Sequence, residues 1–167
     1  MKFNILIDTP PDEFGCVPVK TDFRQVLEFF RIVVDPEKSE EQKANEIMQV
    51  FFDKPPICDG DRLWEFIEYY LYMGEADKKE SASEKVFDWD ADAGRVYAAF
   101  WQAYGIDLTK ERMHWWTFKT LFDALPAGSR LMEVIEIRAK KMPQGKDRES
   151  ARARYNLLKL KSKFAVE

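Results

Sequence analysis

The sequence predicts a mainly α-helical fold: one domain, residues 1–167, of about six helices behind a short N-terminal β-hairpin. Three observations lead there. Apolar residues recur at helical spacing in one segment after another, glycine is scarce (7 in 167 residues), and most prolines fall between the periodic segments. The composition, 46% hydrophobic, 14% aromatic and 34% charged, excludes wholesale disorder and is enough to build a core without covalent staples.

The hairpin is expected in residues 1–20. Phe3, Ile5 and Ile7 alternate with Asn4 and Leu6 and share one face at period two, which predicts a first strand. Pro10 and Pro11 break it, because neither has an N–H for a ladder. A second short strand is expected around residues 16–19, with Pro18 placing it at an edge.

Residues 21–74 form a first helical half. Thr21 or Asp22 caps a helix with the stripe Phe23, Val26, Leu27 and Phe30, closed by Asp35-Pro36. Ser39-Glu40-Glu41-Gln42 is a capping box ahead of Ala44, Ile47, Met48 and Phe51. A third helix, about residues 61–76, carries Trp64, Phe66, Tyr69, Tyr70 and Tyr72 on more than one face. Residues 75–86 are nearly free of large apolar side chains and read as a linker.

Residues 87–142 form a second helical half. Asp92 is a candidate cap for a helix over residues 95–104, rich in aromatics and ended by Gly105, where a left-handed backbone suits glycine. Thr109 is read as the cap of a helix bearing Trp115, Phe118, Leu121, Phe122 and Leu125. After Pro126-Ala127-Gly128, a short helix holds Leu131, Val134 and Ile135. The last helix, residues 147–164, is basic, with a thin stripe of Tyr155 and Leu158.

The chemistry-bearing residue types do not assemble into a site. Asp88-Trp89-Asp90-Ala91-Asp92-Ala93 resembles a calcium loop at first. Ala93 stands where the sharp turn needs glycine, and Ala99 where a bidentate glutamate should close the loop. These aspartates are expected to form a turn ahead of a helix N-terminus. His114 is the single histidine; Glu111, three residues earlier, could share its helical face, but its neighbours offer no carboxylate at an obvious spacing, so it reads as a packed residue with one hydrogen-bond partner. Cys16 and Cys58 are isolated from each other in sequence and fit two thiols in a reducing compartment. No phosphate loop, nucleophile elbow or zinc-protease motif occurs. The expectation is a non-enzyme with no catalytic residues, metal or cofactor.

Interaction is the alternative. Adjacent helical positions point about 100 degrees apart, so if one of Trp115 and Trp116 enters the core the other lies on a flank, either covered by the hairpin or the last helix or open as an aromatic anchor. Trp64, Tyr69, Tyr72 and Trp116 are the candidate protein-interaction residues, aromatic rings being enriched at interface hot spots. The charge is divided. Residues 1–137 carry 16 basic and 27 acidic groups, whereas residues 138–167 carry 10 basic and 3 acidic. Arg148, Arg152, Arg154, Lys159 and Lys161 form a candidate basic surface. It is a solvated face, or it docks on an acidic surface of this chain or of a copy, or it binds nucleic acid; the acidic body speaks against the last. No secretory leader or bilayer-spanning run is visible, which points to the cytoplasm.

Two stretches resemble one family. Lys20-Thr21-Asp22-Phe23-Arg24 is one. The other runs from Phe87-Asp88-Trp89-Asp90-Ala91-Asp92 through Tyr97-Ala98-Ala99-Phe100 and Tyr104-Gly105-Ile106-Asp107-Leu108 to His114-Trp115-Trp116 and Phe118. Their order and spacing resemble the bacteriophage Gp-fifteen family of Gram-positive siphophages and prophages; the linker and final helix match least. The resemblance implies a gene between the tail tube and tape-measure genes, where tail assembly chaperones are commonly encoded. It therefore implies a protein of the bacterial host cytoplasm that binds the tape-measure protein, and the tail tube protein as a further partner, with homo-oligomers as another use of spare aromatics. A structural tail component and a nucleic-acid-binding accessory protein using the basic terminal helix are the alternatives.

Overall fold

Seven helices and one two-stranded antiparallel hairpin make up the regular structure among the described residues. The structure is a computed structural model and describes residues 3–74, 86–140 and 149–159. The expected linker therefore lies outside the described residues apart from Val86. The elements are β1 (Glu13–Phe14), β2 (Val17–Pro18), α1 (Phe23–Val33), α2 (Glu40–Phe51), α3 (Gly60–Leu71), α4 (Ala93–Tyr104), α5 (Trp115–Asp123), α6 (Arg130–Ala139) and α7 (Glu149–Leu158). The mainly helical class with an N-terminal hairpin is as the sequence predicts.

The hairpin's first strand is not where alternation placed it. Residues 4–7 turn instead, with the amides of Ile7 and Asp8 both donating to the Asn4 carbonyl. Asn4 and Asp8 reinforce this turn, Asn4 N–H donating to the Asp8 carboxylate and Leu6 N–H to the Asn4 side chain. Local side-chain bonds of this kind compete with strand pairing, and Leu6 and Ile7 stay exposed. The observed ladder pairs Glu13 with Pro18 and Phe14 with Val17 across Gly15-Cys16. Both loop residues have positive φ, +53° and +67°, as two-residue hairpin loops of the primed kind require.

The chain forms two compact units. The first comprises Met1–Lys79 and Arg112–Leu121, and the second Glu80–Glu111 and Phe122–Glu167. In the first, α1 packs on α2. Asp22 caps α1 by accepting the Arg24 amide, and the Ser39–Gln42 capping box opens α2 with both reciprocal bonds present. The buried stripe of α1 is Phe23, Val26, Phe29 and Ile32, rotated slightly from the predicted one, and Ala44 of α2 is exposed. Phe23 stacks on Phe118 at 4.3 Å and 4°, and Phe29 meets Phe51 at 5.9 Å.

In the second unit α6 packs on both α4 and α7. Gly105 closes α4 at φ +68°, as predicted, and Ser129 caps α6 by accepting the Met132 amide. Thr109 caps no helix. Its amide and hydroxyl both donate to Asp107 in a separate turn, and α5 begins only at Trp115. That hydroxyl bond, with Lys110 beside it, holds the Asp107 carboxyl down to about 2.

Candidate interaction surface

Helix α3 shows two faces. Asp59 caps it by accepting the Asp61 amide, and Ile67, Tyr70 and Leu71 are buried. The exposed residues Asp61, Trp64, Glu65, Glu68, Tyr69 and Tyr72 recur at the spacing of one helical stripe. Trp64, Tyr69 and Tyr72 keep 47%, 45% and 44% of their surface open. Trp64 rests one side on Phe29 (6.3 Å) and Tyr69 on Trp116 (5.6 Å), so these two rings are held but half uncovered. The carboxylates of Asp61, Glu65 and Glu68 make no ion pair among the described residues. Aromatic rings and free carboxylates thus alternate along one outward face.

What holds this helix in place is the tryptophan pair. The Trp116 indole N–H donates to the Tyr70 carbonyl at 2.7 Å, and the Trp115 indole N–H to the Leu71 carbonyl at 3.0 Å. The Tyr72 amide takes the Glu68 carbonyl, and the Gly74 amide takes that of Tyr69. All four carbonyls that a helix C-terminus leaves orphaned are therefore satisfied. Gly74 is required here: at φ +71° a Cβ would come within 2.8 Å of the Tyr69 ring.

Both tryptophans are enclosed, at 1% and 0% exposure. Trp116 is corrected as an interaction residue: of the two readings, the covered flank is the one observed. The two rings do diverge, but each side is covered: Trp115 meets Phe30 and Phe118, whereas Trp116 meets Phe3, Tyr69 and Tyr70. The covering ring Phe3 comes from the N-terminal stretch, more than a hundred residues away in sequence.

His114 makes two hydrogen bonds where one was expected. Its Nδ1 accepts the Trp116 amide at 3.0 Å, in the manner of a helix cap, which leaves Nε2–H to donate to the Pro11 carbonyl at 3.1 Å. Burial lowers its pKa from the ordinary 6.5, against the opposing pull of the Pro11 carbonyl and the Asp12 charge. Backbone bonds from Phe23 N–H to the Met113 carbonyl and from Trp115 N–H to the Thr21 carbonyl pair this segment with the start of α1. Burial, with the nearby Asp22 charge, raises the pKa of Tyr70, whose hydroxyl also reaches the Thr21 carbonyl.

The second unit is centred on a buried ion pair. Asp92 precedes α4 as expected, but its side chain makes no cap bond. It faces Arg138 instead, with contacts of 2.6 and 3.2 Å, and also accepts from Arg95 and the Asp88 amide. Arg138 spends its other donors on the carbonyls of Leu158 (2.6 Å) and Val86 (3.1 Å). Asp88 accepts the amides of Asp90 and Ala91, which makes the aspartate run a turn. Among the described residues no group of three or more His, Cys, Asp or Glu could hold a metal ion.

The candidate basic residues Arg152, Arg154 and Lys159 are exposed on or just past α7, while Arg148 and Lys161 lie outside the described residues. A cavity of about 420 Å³ lies between α6 and α7, lined by Ile137, Lys140, Ser150, Ala151, Arg154 and Tyr155. On α4, Tyr97 and Trp101 stack at 6.5 Å, with Trp101 53% exposed. Sequence reading did not single these two out, although their i, i+4 spacing off the buried Val96–Phe100 face was a usable signal. Cys16 and Cys58 are free and exposed. No helix among the described residues is long and apolar enough to cross a membrane.

A family model described as Bacteriophage Gp15 protein matches residues 16–166. The chain belongs to this family. No curated protein and no solved structure matches it. The residues that carry the bacteriophage-family resemblance have structural work in this fold. In the first unit, Asp22 and Phe23 pair with the His114–Trp115 segment and Phe118; in the second, Asp88 and Asp92 build the turn and ion pair, and Gly105 closes α4. The open stripe of α3 lies apart from those motifs in sequence.

Proposed function

We propose that this member of the bacteriophage family is a non-catalytic, tail assembly chaperone-like protein that binds the tape-measure protein in the host cytoplasm, using the outer face of α3. The observation that supports the reading is the stripe of Trp64, Tyr69 and Tyr72 interleaved with Asp61, Glu65 and Glu68. A tape-measure protein is a long helical polymer whose apolar faces would aggregate if left bare. A helix offering half-open rings at i, i+5 and i+8 can lie along such a face, as in helix-in-groove recognition. The interleaved carboxylates keep the free stripe soluble and favour partner helices flanked by Lys or Arg. Rings that are only half available give moderate contacts, which suits a partner that must leave when tube subunits replace it. The gene position implied by the family resemblance agrees with this role.

Co-expression with helical fragments of the neighbouring tape-measure protein, followed by pull-down, tests the reading. Wild-type protein retains a fragment, and Trp64→Ser with Tyr72→Ser weakens retention by about tenfold or more, as loss of hot-spot rings does. No retention by the wild type defeats the proposal. Mass spectrometry of finished particles separates the chaperone, which is absent from them, from a structural tail component, which is present.

A further inference from the structure

We infer that the chain associates with itself head to tail, the α3 stripe of one copy seating in the α6–α7 groove of the next. The two surfaces are complementary in kind. The groove is lined by apolar Ile137, Ala151 and Tyr155 together with Ser150, Lys140 and Arg154, and its 420 Å³ can admit an aromatic side chain. The stripe supplies half-open rings and three carboxylates without ion-pair partners among the described residues. Leu157, one turn beyond Arg154 and 83% exposed, extends the apolar ground along α7.

Charge favours a second copy as the occupant. In sequence, residues 138–167 carry a net charge of +7 and residues 1–137 carry −11, and among the described residues Lys140, Arg152, Arg154 and Lys159 are exposed. The groove cations do have partners within the chain, Lys140 with Glu136 at 2.6 Å and Arg154 with Glu133 at 3.8 Å. Both pairs are largely solvent-exposed, and exposed pairs contribute little. Exchanging them for Glu65 and Glu68 of a neighbour, beside buried rings, costs little. Because the two faces differ, the contact is heterologous and copies add end to end into a ring or an open chain. This inference stands without the tape-measure reading; if both hold, partner and neighbour compete for α3 and the partner dismantles the assembly.

Sedimentation velocity on the full chain tests it. Between about 5 and about 500 μM at low salt, the average mass rises past that of two chains, and about 0.5 M salt weakens the association several-fold. Trp64→Ser with Glu68→Gln in the stripe stops the growth, and so does Lys140→Glu with Arg154→Glu in the groove. An equimolar mixture of these two variants forms a two-chain species and nothing larger, because one intact stripe meets one intact groove. Circular dichroism checks their helicity; Glu65→Gln with Glu68→Gln, at exposed positions, replaces a stripe variant that fails to fold. A wild type that stays monomeric, a variant that still assembles like the wild type, or a mixture that does not pair overturns the inference.

Discussion

The two units answer the same problem, an orphaned helix C-terminus, with different chemistry. In the first, neutral indole N–H groups from Trp115 and Trp116 cover the last carbonyls of α3. In the second, the Arg138 guanidinium covers the last carbonyl of α7 and must itself be neutralised by buried Asp92. A neutral donor loses one hydrogen bond when it is removed. A buried cation leaves its counter-ion stranded in a medium that cannot solvate it. The difference teaches that the larger structural risk in this protein lies with one arginine, although the larger share of aromatic rings lies elsewhere.

Substitution should expose that difference most clearly at Arg138. Arg138→Met leaves the Asp92 carboxylate paired only with Arg95 at the edge, and is expected to cost about 3–5 kcal/mol. Hydrogen exchange should show α4, α6 and α7 losing protection before α1 and α2. Pairing the change with Asp92→Leu should recover part of the loss, the Leu158 and Val86 carbonyls staying without their donor; protection that falls evenly in both units would break the comparison. Trp116→Phe comes next. It keeps most of the ring but strands the Tyr70 carbonyl, for about 1–3 kcal/mol by urea unfolding, with exchange rising first in the last turn of α3.

The smallest effect is set by pH. Burial depresses the pKa of His114, so below the ordinary 6.5 the unfolded chain takes up a proton that the folded chain resists. Stability should therefore be full above neutrality and fall as the pH drops through 6.5, since protonated Nδ1 can no longer accept the Trp116 amide. His114→Asn, which keeps an acceptor but has no proton to gain, should flatten that slope. An equally steep slope in the variant would assign it to other groups.

What was legible in the sequence was local. The capping residues Asp22 and Ser39 and the closing Gly105 act within three or four residues, so composition and spacing reveal them, whereas the Asp59 cap of α3 was not read. The helical class followed from that. What was not legible depends on partners far along the chain. Asp92 looks like a cap until Arg138, 46 residues on, claims its carboxylate. Trp116 looks like a flank residue until Phe3 covers it. Phe3, Ile5 and Ile7 alternate like a strand, but alternation does not show that Asn4 and Asp8 will fold the segment on itself. Of the candidate site, the rings on α3 were found because that helix has more aromatics than one buried face can take.

The first unit is built from two pieces of chain with residues 80–111 between them. During synthesis, α1, α2 and α3 are made before His114, Trp115 and Trp116. Until then α3 has bare end carbonyls and the place of the two indoles is empty, so the nascent protein displays its aromatic core to everything around it. Closing the unit requires a long loop to be drawn shut, a step whose entropic cost is met only once the late segment docks. Slower translation across residues 80–121 is expected to lengthen that exposure.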